Sequence, residues 1–343
     1  MAVLSGLKVE LAGDRLRLTG TDLELSIAVE RTVAGEADGS AVLPARLTSE
    51  IVRALPSGAV SVHADGDQAR ISADRSQFSV RTFPVEDFPR VLEPEGTGVT
   101  LPSADFAEAL RQVVRAASTD DARPILTGVL MAAEAEGLQL VATDSYRLAV
   151  RDLPETRVLG PEQKVLVPSR ALNELARVLA TEPDVTLRLG ERDVAFEVTG
   201  EAGHVRLTSR LIEGEFPKVR QLIPQHHANR LTVGREPLLD GIRRVRLVAR
   251  ESVSPSIRLA MSADGLDLSA IDVEKGEAAE SLDAKYEGTE MTVAFNPVYL
   301  QEGVEACAGD EITLETLDAL KPAVVRSAEQ SDYLYLLMPV RVP

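Results

Sequence analysis

The chain has 343 residues, 44% of them apolar and 27% charged, with 37 Lys plus Arg against 54 Asp plus Glu and a formal net charge of −17. That length predicts two or three domains, and the composition excludes a disordered or collagen-like chain. No apolar run approaches a membrane span, no signal peptide opens the chain, and one cysteine, Cys307, permits no internal disulfide, so a cytoplasmic protein is expected.

In chain order, residues 4–30 read as two strands around a Gly turn with Thr21-Asp22 after the second, matching the copy at 126–148, whose polar turn is expected at Asp144-Ser145. A strand is expected at 40–43. A helix follows over 44–56, with Leu47, Ile51, Val52 and Leu55 at helical spacing. Strands come next at 60–64, 68–73 and 77–83, where Phe78, Val80 and Thr82 alternate, and then PVEDFPRVLEPEG marks a linker. The second stretch opens on the helix PSADFAEALRQVVRAAST, with Ser103 expected as N-cap and Phe106, Leu110, Val113 and Val114 on the apolar face. Residues 126–148 then repeat the first hairpin. Leu4/Leu126, Gly6/Gly128 and Thr21-Asp22/Thr143-Asp144 fall at one constant offset, with the tight turn predicted at Glu136-Gly137. A strand at 164–167, a helix at 168–179 and strands within 185–210 lead to LIEGEFPKVRQLIP, which echoes the first linker. The third stretch runs through the helix GREPLLDGIRRVRLVAR, a fainter hairpin copy at 257–272 and strands at 280–286 and 291–295. It ends with the helix NPVYLQEGVEACAG and strands at 312–317, 323–327 and 333–342. One hairpin used three times is a repeat. The expected fold is α+β, with domains at 1–97, 98–228 and 229–343, each two helices on a curved antiparallel sheet and the first short of its leading helix.

The helices are rich in arginine: Arg46 and Arg53, Arg111 and Arg115, Arg170 and Arg177, then Arg243, Arg244, Arg246 and Arg250, with Arg123 ahead of the repeated hairpin. Acidic residues gather in strands and loops, among them Glu134, Glu136, Glu191, Asp193, Glu277, Glu280, Asp310 and Glu311. This segregation suggests a basic helical layer that faces a polyanion, behind an acidic sheet. Exposed helices with many arginines are also common without such a role. Aromatics make up 3% with no Trp, which argues against a stacking platform for single strands. No Gly-rich phosphate loop, G-x-S-x-G or H-E-x-x-H is present, and the adjacent His226-His227 make a poor metal pair. No catalytic residue, metal or cofactor is expected. Unpaired carboxylates leave a hydrolase formally open.

The three-part plan, ATDSYRLAV at 142–150, LIEGEFPKVRQLIP and the terminal YLLMPVRV resemble the β subunit of bacterial DNA polymerase III, the sliding-clamp family, over essentially the whole chain. The resemblance implies half of a head-to-tail ring closed by a homodimer, with helices lining the hole and sheets outside. Duplex DNA would thread the hole independently of sequence, through Arg46, Arg53, Arg111, Arg115, Arg123, Arg170, Arg177, Arg243, Arg244 and Arg246. The partners implied are the polymerase III alpha subunit, the clamp loader and other proteins with a clamp-binding motif, and no membrane.

By the same resemblance a partner-peptide pocket lies between the second and third domains. It takes Leu126, Thr143, Ser145, Tyr146, Arg147 and Leu148 from the hairpin, and Pro217, Gln221 and Leu222 from the run between the domains. Leu320, Pro322, Leu336, Leu337, Met338, Pro339, Val340 and Arg341 complete it. Ser145-Tyr146 stand where the family often has Gly-His, and Gln221 where some members carry Arg. The protomer contact would pair residues 75–83 with 277–282, with Phe78 and Val80 as apolar anchors, Arg75 facing Glu277 or Glu280, and Leu282 alongside. Members usually begin with a further strand and inner helix, whereas this chain starts almost inside the first hairpin, so ring closure is the weakest expectation. The competing reading is a clamp-like paralogue or decoy that binds clamp-directed peptides or inhibitors without encircling DNA.

Overall fold

The computed structural model describes residues 2–91, 94, 96–135, 137–179, 182–200, 203–224, 226–250 and 255–341. The predicted turn residue Glu136 and the last position of the final predicted strand, Val342, lie outside the described residues. The first repeat supplies β1 (Gly6–Ala12), β2 (Arg15–Thr21), β3 (Leu25–Thr32), β4 (Gly39–Pro44), α1 (Ala45–Ala54), β5 (Ser61–Asp65), β6 (Gln68–Ala73) and β7 (Ser76–Arg81). The second begins with β8 (Gly98–Pro102), α2 (Ser103–Val113), β9 (Gly128–Glu134), β10 (Gly137–Thr143) and β11 (Arg147–Pro154). It ends with β12 (Lys164–Pro168), α3 (Ser169–Leu179), β13 (Asp184–Leu189), β14 (Asp193–Gly200) and β15 (Gly203–Arg210). In the third come β16 (Asn229–Gly234), α4 (Arg235–Ala249), β17 (Ile257–Ser262), β18 (Gly265–Asp272), β19 (Gly276–Leu282) and β20 (Ala284–Glu287). Then follow β21 (Met291–Phe295), α5 (Pro297–Ala306), β22 (Glu311–Thr316), β23 (Ala323–Ser327) and β24 (Tyr333–Leu337).

Four strands escaped the sequence reading, the short β8 and β16 and the strands β3 and β11 that follow the Thr-Asp turns, and the strand expected at 280–286 is two strands parted at Asp283. Ser103, the expected N-cap, stands at the start of α2 and is tied to the segment before β13. Its hydroxyl donates to the carbonyl of Glu182, and its amide donates to the Pro183 carbonyl at 2.9 Å.

The chain divides into two compact bodies, one of Met1–Ala104 with Arg177–Leu211 and the other of Asp105–Ala176 with Ile212–Pro343. Every strand pairing within them is antiparallel. The first body holds an eight-stranded sheet in the order β4-β1-β2-β3-β15-β14-β13-β8 and a three-stranded sheet β5-β6-β7. The second holds a nine-stranded sheet, β12-β9-β10-β11-β24-β23-β22-β16-β20, and a four-stranded sheet, β19-β18-β17-β21. One ladder therefore recurs three times: β4-β1-β2-β3, β12-β9-β10-β11 and β21-β17-β18-β19. Each wide sheet joins two successive repeats, through β3 with β15 (Leu25↔Ser209 to Glu30↔His204) and β11 with β24 (Arg147↔Leu337 to Arg151↔Tyr333).

In the first body Ala41, Leu43, Ile51, Ala69, Ile71 and Val80 form a core cluster. The buried stripe of α1 is Thr48 and Ile51, with Leu55 partly buried beyond it, whereas Leu47 and Val52 are 46% and 45% exposed. All four expected positions are apolar, but residues three and four apart share a stripe, and Thr48 rather than Leu47 lies on it.

In the second body the central sheet has two working faces. Val141, Leu148, Val150, Leu334 and Leu336 pack together with Val219 on one face. The alternate residues of β24, Tyr333 and Tyr335, point the other way, toward α2 and α5. The Tyr333 hydroxyl reaches the Gln112 carbonyl at 3.5 Å, and the Tyr335 hydroxyl donates to the Tyr299 carbonyl at 3.0 Å. Helix α5 is well started: Asn296 accepts from the amides of Val298 (2.9 Å) and Tyr299 (3.3 Å), and Pro297 occupies the first turn. It then passes so close to the sheet that a Cβ added at Gly303 would overlap the Tyr335 ring. Gly303→Ala is accordingly expected to lower stability by about 1–3 kcal/mol through overpacking. Chemical denaturation measures this, and an unchanged midpoint would show that α5 can shift away without cost.

Candidate functional site

The turn between β10 and β11 is where the sequence repeat becomes geometry. Thr143 Oγ1 accepts from the Ser145 amide at 3.2 Å and donates to the Arg147 carbonyl at 2.6 Å. Asp144 Oδ1 accepts from the amides of Tyr146 (2.9 Å) and Arg147 (3.0 Å). The first repeat builds the same knot: Thr21 Oγ1 accepts from Leu23, and Asp22 Oδ1 from Glu24 (3.1 Å) and Leu25 (2.8 Å). Such side-chain turns explain why Thr-Asp recurs at a fixed offset. The residue after Asp has positive φ in both, 80° at Leu23 and 81° at Ser145. A non-glycine residue adopts that conformation at a cost, so a family preference for Gly there has a backbone reason.

Arg147 was expected as a polar member of the pocket, yet it is 9% exposed and braces the turn from behind. Its guanidinium pairs with Asp144 at 3.0 Å and with Glu302 of α5, and it lies 4.3 Å from the centre of the Tyr299 ring. Burial opposes its charge, but Tyr335 and Glu302 more than offset that, so its pKa is raised and the cation is secure. Tyr299 and Glu302 were not among the expected site residues. The Arg147–Glu302 contact spans 155 positions and leaves no local signal.

Of the expected pocket residues, Leu148 and Leu336 pair across β11 and β24 and pack in one cluster. Leu126, Thr143, Leu148 and Leu336 are buried, while Tyr146 (61%), Leu222 (54%), Leu320 (66%) and Met338 (38%) are exposed. Pro217, Gln221 and Arg341 are also exposed, and Pro322, Pro339 and Val340 are half-buried. The Met338 amide donates to the Tyr146 carbonyl at 2.9 Å, which ties the chain end to the turn, and the Val340 amide reaches the Ala294 carbonyl at 2.7 Å. Leu337 is a correction: it is fully buried and, by alternation, lies on the opposite face from Leu336, so it is core rather than wall. On the Leu148–Leu336 face, at the Gln139–Asp152 end, a cavity of about 270 Å³ opens, with Val141, Val150, Val219, Ile223 and Leu334 in its lining and Arg220 beside them. None of the expected pocket residues line it.

The arginines divide. Arg123 belongs to no helix of the basic layer. It pairs with Asp120 at 2.9 Å and reaches Ser145 Oγ at 3.3 Å, beside the braced turn. In the second body Arg111 bonds Glu108 and Arg115 bonds Glu305; Arg243 bonds Asp240 and Glu305, Arg244 bonds Glu280, and Arg246 donates to Gln301. Arg170 also lies in this body, and it is engaged as well. In the first body Arg46 pairs with Glu50, Arg177 is engaged, and Arg53 is exposed. The expected segregation of charge is thus incomplete, because carboxylates sit among the helix arginines.

Of the expected protomer contact, Arg75 and Phe78 are exposed, and Phe78 at 39% is available as an anchor. Val80 at 5% is already part of the first body's core and is not. Glu277 is exposed and Leu282 half-buried on β19, whereas Glu280 is taken by Arg244 at 2.5 Å. Cys307 is 1% exposed, and burial pushes its thiol up to about 12 against the pull of Arg235 and Arg111, which leaves no reactive thiolate at neutral pH. No helix among the described residues is long and apolar enough to cross a membrane.

Three family models match in succession: DNA polymerase III beta subunit, N-terminal domain at residues 1–92, central domain at 100–218 and C-terminal domain at 220–341. The beta sliding clamp of Streptomyces coelicolor is 34% identical over 99% of this chain and 92% of its own length. That of Escherichia coli is 30% identical over 100% of this chain and 93% of its own. Among solved structures, the Bartonella birtlesii sliding clamp bound to griselimycin superposes with a TM-score of 0.91 at 29% identity, covering 100% of this chain and 92% of that one. These matches favour the clamp over the DNA-free decoy. The chain belongs to the DNA polymerase III beta subunit family, the beta sliding clamps.

Proposed function

We propose that two copies of this chain close head to tail around duplex DNA and slide along it without reading sequence. The patch beside the Asp144–Arg147 turn would tether the polymerase III alpha subunit, the clamp loader and other proteins with a clamp-binding motif. The ring is a cytoplasmic tether and performs no chemistry of its own. One observation carries this reading. The third strand of each recurring ladder pairs with the last strand of the next repeat, β3 with β15 and β11 with β24. By that rule β19 calls for β7, and both are edge strands among the described residues. A second copy supplies each with its partner, and unpaired edges require such cover.

The patch suits a short extended peptide with Leu or Phe anchors, because the exposed Tyr146 and Met338 stand together at a hydrogen-bonded turn. Its adaptable wall is Met338. The decisive experiment is retention after loading onto nicked circular DNA. The protein should stay on the intact circle through a salt wash and run off once the circle is cut. Equal release from circle and linear DNA would sink the encircling role.

A further inference from the structure

Four helix-borne arginines of the second body, Arg111, Arg115, Arg243 and Arg244, are solvent-accessible and each is paired with a carboxylate. Arg115 lies 2.9 Å from Glu305 and Arg243 3.2 Å from the same carboxylate, with Arg115 50% and Arg243 46% exposed against 24% for Glu305. Gln301 Nε2 donates to Glu305 at 2.7 Å and fixes its direction. Burial pushes the Glu305 carboxyl up, but Gln301, Arg243 and Arg115 together hold it below the ordinary value, so it is ionised at neutral pH. Asp240, 53% exposed, holds Arg243 from the other side at 3.2 Å. Arg111 repeats the arrangement with Glu108 at 2.5 Å. A single carboxylate of α5 thus grips two guanidiniums, one just after α2 and one on α4.

We propose that Glu305 is a built-in counterion, which weakens the hold of Arg115 and Arg243 on phosphate so that the duplex can slide. This rests on the reading that the layer faces duplex DNA. The physics is that of ion exchange. A free arginine that binds a phosphate releases a condensed cation from the DNA, and affinity falls with salt by a slope of about 0.9 per phosphate contacted. An arginine shared with Glu305 instead hands that carboxylate back to solution cations, so net ion release shrinks and so does the slope. Exposed ion pairs of this kind are weak. The guanidinium therefore passes between carboxylate and successive phosphates without a deep well at any one of them.

The test measures binding of the full chain to a short linear duplex by fluorescence anisotropy across a salt series. Glu305→Gln keeps the shape and the Gln301 contact but removes the charge. The variant should bind more tightly at low salt, with a log–log slope steeper by roughly 0.9 for each freed arginine. Glu305→Asp should return toward the parent value. Asp240→Asn, at an exposed position that leaves folding untouched, should give a smaller steepening through Arg243 alone. Glu162→Gln, an equal charge change at an exposed position elsewhere in this body, should leave the slope unmoved. If Arg115→Gln/Arg243→Gln weakens binding while Glu305→Gln and Asp240→Asn leave slope and affinity unchanged, the counterion proposal is overturned and the DNA-facing reading stands. If the double arginine variant binds as the parent does, the layer is not the DNA surface and both fall together.

Discussion

Replacing Arg147 by alanine is expected to cost about 3 kcal/mol of stability and to weaken partner-peptide binding by about tenfold or more. The guanidinium neutralises Asp144, whose side chain is 9% exposed, and Glu302, at 27%, and it covers the Tyr299 ring. Removing it leaves two carboxylates turned toward one vacated space. Breaking a buried pair from one side costs roughly 3–5 kcal/mol, and the partial water access of Glu302 puts the value at the low end. The same loss frees the turn that carries Ser145 and Tyr146, so the patch loses its fixed shape. Arg147→Lys should recover only part of both effects, because an ammonium cannot bridge two carboxylates as a planar fork does. Arg147→Met combined with Asp144→Asn and Glu302→Gln should regain much of the stability without the binding. Denaturant midpoints and peptide affinities measured on the same samples decide it, and an Arg147→Ala variant equal to the parent in both would remove Arg147 from the site.

Phe78→Glu is expected to abolish dimerisation and, with it, retention on circular DNA, while leaving the folded chain intact. Phe78 is 39% exposed on β7, an edge strand, and surface positions of this kind change stability by about 0.5 kcal/mol or less. At a closed interface the same side chain becomes a buried apolar anchor, and a charge there faces the acidic β19, with Glu277 exposed along it. Sedimentation at micromolar concentration should show a monomer with unchanged thermal unfolding. A dimer that persists in this variant would place the protomer contact elsewhere. Because Val80 belongs to the core, Val80→Glu would unfold the first body and could not serve as the test.

What could be read from the sequence divides by range. The Thr-Asp turns were legible because each side chain bonds amides two or three residues away, so the whole cause of the structure sits inside the motif. Strands β6 and β23 begin and end where alternation and polar turns put them. The stripe of α1 was misplaced because Leu47 and Val52 are apolar yet lie to either side of the buried line through Thr48 and Ile51. The partners of Arg147 and the anionic backing of Arg115 and Arg243 were invisible. Sequence shows that a residue is charged but not which distant chain segment neutralises it.

The strands shared between successive repeats carry a consequence for folding. The inherited module and the cooperative module are out of step by half a period, since each wide sheet closes only when strands from two neighbouring copies have met. A fragment cut at a copy boundary, such as the central copy alone, would present two raw ladder ends, where β11 has lost β24 and β15 has lost β3. Such a piece is expected to aggregate rather than fold, because the first body is complete only with both Met1–Ala104 and Arg177–Leu211.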